Sequence, residues 1–287
     1  MKNPGMLASA AWLSGYLKHP GVSIVDVRWS PKGGITATRR EYEDGHIPGA
    51  GFLDVDRDLA RAAFVGGPGR HPLPDPEVFA SKIAALGIDD EMFVVAYDDQ
   101  RGSLAARLWW MLWVTGHQVA LLDGGLEAWQ RAGGDIERGP QKAREKALFT
   151  AVPWPMDRIV TAGGVESTVR SGVASVLDAR VGERYRGEIE PHDPVAGHIP
   201  GARSAPWDLN LDPDGMFLEP DVLRARYEAL GVSNDAAIAY CGSGVTACHD
   251  LFAMRLAGFG DARLFEGSWS EWIRDRERPV ATGPDFV

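Results

Sequence analysis

Gly45-His46-Ile47-Pro48-Gly49-Ala50 recurs letter for letter as Gly197-His198-Ile199-Pro200-Gly201-Ala202. Working outward from the two copies, other stretches pair as well. Ile24-Val25-Asp26-Val27-Arg28, upstream of the first, matches Val176-Leu177-Asp178-Ala179-Arg180, upstream of the second. Downstream, Val94-Val95-Ala96-Tyr97 matches Ala237-Ile238-Ala239-Tyr240, and Asp123-Gly124-Gly125-Leu126-Glu127-Ala128-Trp129 matches Glu266-Gly267-Ser268-Trp269-Ser270-Glu271-Trp272. The offset is 152 residues for the histidines and 143 for the tyrosines and tryptophans, a nine-residue difference absorbed by an intervening loop. One unit of short apolar strands alternating with helical stretches is therefore present twice. That pattern predicts an α/β fold of two tandem domains, each a mostly parallel sheet flanked by helices.

The first domain is expected over 1–133, a linker over 134–157 and the second domain over 158–287. Within the first, helices are expected over 7–17, 76–86, 103–115 and 125–132, with Pro76 suited to a first helical turn. Strands are expected over 23–28, 91–97 and 118–122. The stretch 133–157 loses periodicity and carries Gly133-Gly134, Gly139-Pro140 and Pro153-Trp154-Pro155. It reads as a linker crossing the surface of the first half.

The 287 residues suffice for two domains of ordinary size, and 45% hydrophobic with 24% charged residues is a globular composition. The formal net charge of −10 argues against nucleic acid or an anionic membrane as partner, so an anionic substrate must be held by local cations. Two cysteines, Cys241 and Cys248, make neither a disulfide framework nor a four-ligand zinc site. A cytoplasmic location is expected. The start, with Lys2 as its early cation and Ala8–Leu17 broken by Ser9, Ser14 and Gly15, does not read as a secretion signal. No stretch approaches the roughly 20 apolar residues of a membrane span.

The chemistry concentrates in Tyr240-Cys241-Gly242-Ser243-Gly244-Val245-Thr246-Ala247, where a strand runs into a cysteine, a glycine-rich turn and a helix-like segment. Inward-pointing backbone N–H groups and a helix N-terminus favour negative charge, hence the nucleophilic thiolate of Cys241. The first copy places Asp98 at the cysteine position. A cradle built for an anion is expected to repel an aspartate there, leaving the first copy non-catalytic, a structural element and one wall of a cleft.

Taken together, the paired Gly-His-Ile-Pro-Gly-Ala motifs, the Asp-Val-Arg and Asp-Ala-Arg strand ends, the cysteine loop and Glu266–Trp272 resemble the tandem-domain rhodanese family of sulfurtransferases over nearly the whole chain. The loop from Cys241 to Ala247 resembles the 3-mercaptopyruvate sulfurtransferase branch; the thiosulfate branch typically carries Arg and Lys where Gly242 and Ser243 stand. The resemblance implies that Cys241 takes sulfur from a small anionic donor as a persulfide and passes it to a thiol, thioredoxin or cyanide. It implies no metal and no organic cofactor. The backbone of Gly242, Gly244, Val245 and Thr246 would hold the terminal sulfur. Arg184 matches the family's substrate-anion arginine, suited to gripping a carboxylate or sulfonate with two hydrogen bonds. The mercaptopyruvate branch has a second arginine after Glu-Pro, but here Glu190-Pro191 is followed by His192, with Arg186 as a substitute. That departure keeps thiosulfate open as the donor. The resemblance also implies a serine-hydrolase-like group of Ser243, His71 and Asp56, supplying a proton as pyruvate leaves as its enolate.

Other features read as structure. His46 and His198 occur in both copies, including the one without a nucleophile, and Asp26 and Asp178 do likewise. Trp109, Trp110 and Trp113 have core spacing, Trp207 is read as core rather than cleft, and Cys248 as a packing residue on the helix after the loop. Two competing classes are weaker. A cysteine phosphatase needs an arginine six residues after the cysteine, where Ala247 stands. A non-catalytic sulfur-carrier or interaction module would not need Cys241.

Overall fold

Short β-branched and aromatic runs buried on both faces make parallel strands, and the duplicated runs do so in both halves. The computed structural model describes residues 2–64, 66–233 and 236–284. The strands are β1 (Leu7–Ala8), β2 (Val22–Arg28), β3 (Gly51–Asp54), β4 (Phe93–Tyr97), β5 (Val119–Leu122), β6 (Ser175–Asp178), β7 (Arg203–Ser204), β8 (Ala237–Tyr240) and β9 (Arg263–Leu264). The first five form a sheet in the order β1-β5-β4-β2-β3 and the last four a sheet in the order β7-β6-β8-β9. Every pairing between these named strands is parallel. The helices are α1 (Ala10–Tyr16), α2 (Gly34–Asp44), α3 (Val55–Asp58), α4 (Pro76–Ala85), α5 (Ala105–Val114), α6 (Gly125–Arg131), α7 (Ala162–Ser171), α8 (Gly182–Tyr185), α9 (Pro220–Ala229), α10 (Ala247–Leu256) and α11 (Ser268–Trp272). The two-sheet α/β architecture expected from the duplication is the one observed.

Two compact units result. One comprises Met1–Arg61, Leu73–Trp154 and Pro213–Met216; the other comprises Ala62–Pro72, Pro155–Asp212 and Phe217–Val287. The segment 62–72, part of the first repeat in sequence, thus belongs to the second unit. Ile24, Val95, Tyr97, Leu122 and Trp129 sit in the first core, and Val176, Ile238, Tyr240, Trp269 and Trp272 in the second.

The repeat motifs do the same structural work twice. Tyr97 Oη accepts from Ile47 N at 2.9 Å, and Tyr240 Oη from Ile199 N at 3.2 Å. The His46 ring stacks on Tyr42 at 3.9 Å and the His198 ring on Tyr185 at 3.7 Å, each with Nδ1 2.8 Å from the same tyrosine's carbonyl oxygen. Asp26 pairs with Arg28 at 2.5 Å, and Asp178 with Arg180 at 2.6 Å, in sites closed to water. Buried charges need such partners. These histidines and aspartates are frame.

Two differences from the sequence expectation have local causes. Leu7 and Ala8 do not begin a helix; they pair with β5, and Ser9 Oγ caps α1 by accepting from Trp12 N at 3.1 Å. The helix expected from Ser103 starts at Ala105, because the N–H groups of Leu104 and Ala105 are bound to the Asp98 carboxylate. Residues 137–154 lie along the first unit: Phe52 N donates to Gln141 Oε1, Arg144 Nη1 to Leu86 O and Trp154 Nε1 to Pro74 O. Among the described residues no helix is long and apolar enough to cross a membrane.

Candidate active site

Strand β8 is central in its sheet, and Cys241 follows its last residue at the carboxyl edge, where open parallel sheets present their ligand sites. Cys241 is 3% exposed. Its backbone N–H donates to Ser268 Oγ at 3.1 Å, and its carbonyl accepts from Trp269 N at 3.0 Å. Gly242 O accepts from Ser270 N at 2.9 Å, so α11 holds the loop from below. Ser268 takes φ of 52°, a conformation costly for a residue with a Cβ, and its hydroxyl spans Cys241 N and Phe265 O. Gly244 has φ of +81°, and a Cβ there would lie 2.2 Å from Glu266 O. That close turn points Gly244 N–H at Cys241 Sγ, 3.2 Å away. Helix α10 begins just beyond, its N-terminal dipole favouring negative charge at the loop.

The loop opens on a cavity of about 290 Å³ lined by Cys241, Gly242, Thr246, Arg184, His192 and Trp207, among others. Trp207, expected in the core, is a wall of this cavity. Arg184 donates to both oxygens of Glu190, Nε at 3.2 Å and Nη2 at 2.7 Å, with Asp193 Oδ2 3.5 Å from Nη2. Against the cost of burial, the guanidiniums of Arg184 and Arg180 hold Glu190 below the usual carboxylate range. Arg180 is consumed by Asp178, Glu190 and the carbonyl of Gly197. Arg186 is not brought to the cavity lining: its guanidinium pairs with Glu188 at 2.7 Å on the surface. Val245 is buried, and its carbonyl accepts from Cys248 N at 3.1 Å. Cys248 lies buried on α10 with its thiol 3.4 Å from Gly244 O, and neither cysteine is in a disulfide.

His71 and Ser243 are brought together, His71 Nδ1 lying 2.6 Å from Ser243 Oγ, both 7% exposed. The histidine reaches its place because the loop before it is tied down within the same unit. Arg274 donates to Gly67 O at 2.5 Å and Gly69 O at 2.7 Å, and Arg70 N donates to Ser270 Oγ at 2.9 Å. A Cβ on Gly69 would fall 2.3 Å from Gly267 O, so only glycine permits this approach. Asp56 belongs to the other unit, on α3, where its Oδ1 accepts from Trp29 Nε1 at 3.1 Å.

The expected repulsion of Asp98 is overturned. The first-copy cradle embraces the aspartate: Oδ1 accepts from Gln100 N and Gly102 N, each at 2.8 Å, and Oδ2 from Leu104 N at 2.7 Å and Ala105 N at 2.8 Å. Burial pushes the Asp98 carboxyl up, and the N–H groups of Ala105, Gly102, Leu104 and Gln100 pull against it. A nest of N–H donors attracts a carboxylate as readily as a sulfur anion, so a cradle suited to an anion accepts the aspartate rather than repelling it.

Sequence reasoning missed Arg70, Asp193 and Ser268. Arg70 stands beside a residue that was singled out, His71, but its distance in sequence from the cysteine loop conceals it. Ser268 lay inside the recognised Glu266–Trp272 repeat, where its counterpart Gly125 carries no hydroxyl.

The sequence profile of the rhodanese-like domain matches residues 9–132 and again 161–275. The chain belongs to the rhodanese family. Among rhodanese relatives, it is 46% identical over 284 residues to a probable 3-mercaptopyruvate sulfurtransferase of Pseudomonas aeruginosa, covering 96% of this chain and 98% of that one. It is 40% identical to a putative thiosulfate sulfurtransferase of Mycobacterium tuberculosis, with 97% of each chain covered. The rhodanese crystal structure of the 3-mercaptopyruvate enzyme of Escherichia coli superposes with a TM-score of 0.79 at 34% identity, over 93% of this chain and 99% of that one.

Proposed function

We propose that this protein is a sulfurtransferase that takes sulfur from 3-mercaptopyruvate onto Cys241 and passes it to a thiol or cyanide. Its close relatives are named for sulfurtransferase activity, with both 3-mercaptopyruvate and thiosulfate among their donors. The observation that carries the choice of donor is the 2.6 Å contact between Ser243 Oγ and His71 Nδ1 in the cysteine loop.

The Cys241 thiolate attacks the donor sulfur, an S–S bond forms, and the C–S bond breaks with its electron pair passing to carbon. The leaving group is the enolate of pyruvate, which must gain a proton. Ser243, hydrogen-bonded to His71, is placed to deliver it, a general-acid task worth roughly 10²–10⁴-fold. Thiosulfate would release sulfite, which is stable as the dianion and needs no proton. A hydroxyl–imidazole pair therefore favours the carbon donor. The persulfide sulfur would be held by loop N–H groups, of which Gly244 N already faces Cys241 Sγ. An acceptor thiolate then attacks the outer sulfur and releases the Cys241 thiolate.

The test is mass spectrometry of the intact protein after treatment with each donor, followed by steady-state rates. A gain of one sulfur atom, absent in Cys241→Ser, is expected, with kcat/KM larger for 3-mercaptopyruvate. No gain with any donor sinks the reading. A larger kcat/KM with thiosulfate transfers it to the thiosulfate branch.

A further inference from the structure

The 3-mercaptopyruvate branch pattern calls for a second arginine where this chain has His192. Partial desolvation, and then the guanidiniums of Arg184 and Arg70, lower the His192 imidazole from its ordinary 6.5, against Glu190 and Asp193, so it is a poor stand-in for a permanent cation. A second cation nevertheless reaches the cysteine loop. A Cβ built on Gly242 would lie 3.2 Å from Arg70 Nη2 and 3.3 Å from Arg184 Nη2. Two guanidiniums therefore converge on the one loop residue that follows the cysteine, and its lack of a side chain makes room for them. They also share a carboxylate: Asp193, 4% exposed at its side chain, accepts from Arg70 Nη1 through Oδ1 and faces Arg184 Nη2 through Oδ2. Arg70 is anchored from its backbone by Ser270, and the preceding carbonyls by Arg274, so its guanidinium is presented by a fixed loop.

We propose that Arg70 and Arg184 together form the clamp that reads the carboxylate of the sulfur donor, Arg70 supplying from the 67–70 loop the second guanidinium that position 192 lacks. The inference rests on the sulfur-donor reading above. Two guanidiniums on one carboxylate allow paired hydrogen bonds that a single arginine bound to Glu190 cannot complete alone. Asp193 keeps both cations oriented in the unliganded protein. Gly242 is then a specificity residue in its own right, since any side chain there pushes into both guanidiniums.

The experiment compares alkylation of Cys241 by iodoacetate and iodoacetamide, reagents that differ by a carboxylate in place of an amide. Both form an S–C bond and release iodide, so the ratio of their rates isolates the anion site from the reactivity of the thiol. In Arg70→Gln the iodoacetate-to-iodoacetamide ratio is expected to fall about tenfold or more, with the iodoacetamide rate within about twofold of wild type. Arg70→Lys, which keeps a point charge without the fork, should recover part of the ratio and serves if the glutamine variant folds poorly. An unchanged ratio, or equal slowing by both reagents, overturns the clamp. The parent reading fails differently: a wild-type protein that discriminates by charge but loads no sulfur would keep the clamp and lose the sulfurtransferase.

Discussion

At the scale of single residues, the proposed mechanism makes Ser243 the residue expected to separate the two donor chemistries. Ser243→Ala removes the hydroxyl that His71 holds at 2.6 Å and leaves Cys241 and Arg184 in place. The rate with 3-mercaptopyruvate is expected to fall about 10²-fold in kcat, while the rate with thiosulfate stays within about threefold. Parallel steady-state assays with both donors check this, and equal losses would mean that Ser243 shapes the loop instead of moving a proton. Gly244 is the converse case, a residue whose value is the side chain it lacks. Gly244→Ala would set a Cβ 2.2 Å from a carbonyl oxygen at positive φ, withdrawing the N–H now aimed at Cys241 Sγ. The expected result is loss of sulfur loading in the mass spectrum without loss of Cys241. Cysteine, serine and glycines in one short loop were legible because their meaning is local. Arg70 and Asp193 were not, since the guanidinium and its carboxylate come from loops 123 residues apart, and sequence spacing carries no record of that meeting.

At the scale of elements, the duplicated strand–loop–helix unit shows one cradle with two fillings. Asp98 satisfies four backbone N–H groups that a smaller residue would strand. Asp98→Ala is expected to destabilise the protein by about 4 kcal/mol, taking roughly 1–3 kcal/mol for each unpaired donor and allowing water to reach some of them. Asp98→Asn should cost about half as much, because one oxygen facing two donors becomes a donor itself. Urea midpoints at constant m distinguish the two. Helix α10, which follows the cysteine loop, holds a buried carboxyl of its own. Burial pushes Asp250 from its ordinary 3.8 up to about 7, opposed by Arg226, Asn210 and Tyr227. Its Oδ1 accepts from Asn210 Nδ2 at 2.7 Å and faces Tyr227 Oη at 3.2 Å. The folded chain therefore keeps a proton that the unfolded chain gives up. Stability must fall as pH rises from about 4 to about 7, by at most ~1.4 kcal/mol per pH unit from this group, and then level off. Asp250→Asn should flatten that slope and raise stability at neutral pH, read from denaturation midpoints across the range. The buried strands β2, β4, β5, β6 and β8, of four to seven residues, were legible from their apolar runs. The two-residue strands β1, β7 and β9 were not, since a pair of residues has no periodicity and is recruited only by a neighbour already in the sheet.

At the scale of the whole molecule, duplication makes a chain with two like cradles, one holding Asp98 and the other carrying Cys241. The frame is common to both copies, from the stacked histidines to the paired Asp–Arg strand ends, and this is why the fold could be read from the repeat alone. The proposed function rests on what differs: Cys241 against Asp98, Ser268 against Gly125, and Arg184 and Arg70 converging on the Cys241 loop. The net charge of −10 adds a second constraint, because an anionic donor is repelled at a distance and is attracted only where guanidiniums are placed. A single loaded site per chain follows. Donor treatment should add one sulfur per chain and no more, even in excess donor. Cys241→Ser should abolish that gain. Cys248→Ser should keep it, since the Cys248 thiol is buried on α10 and turned to the carbonyl of Gly244. A second sulfur in the intact mass, retained in Cys241→Ser and lost in Cys248→Ser, would show that α10 carries a sulfur-accepting thiol, and the assignment of Cys248 to packing would have to be withdrawn.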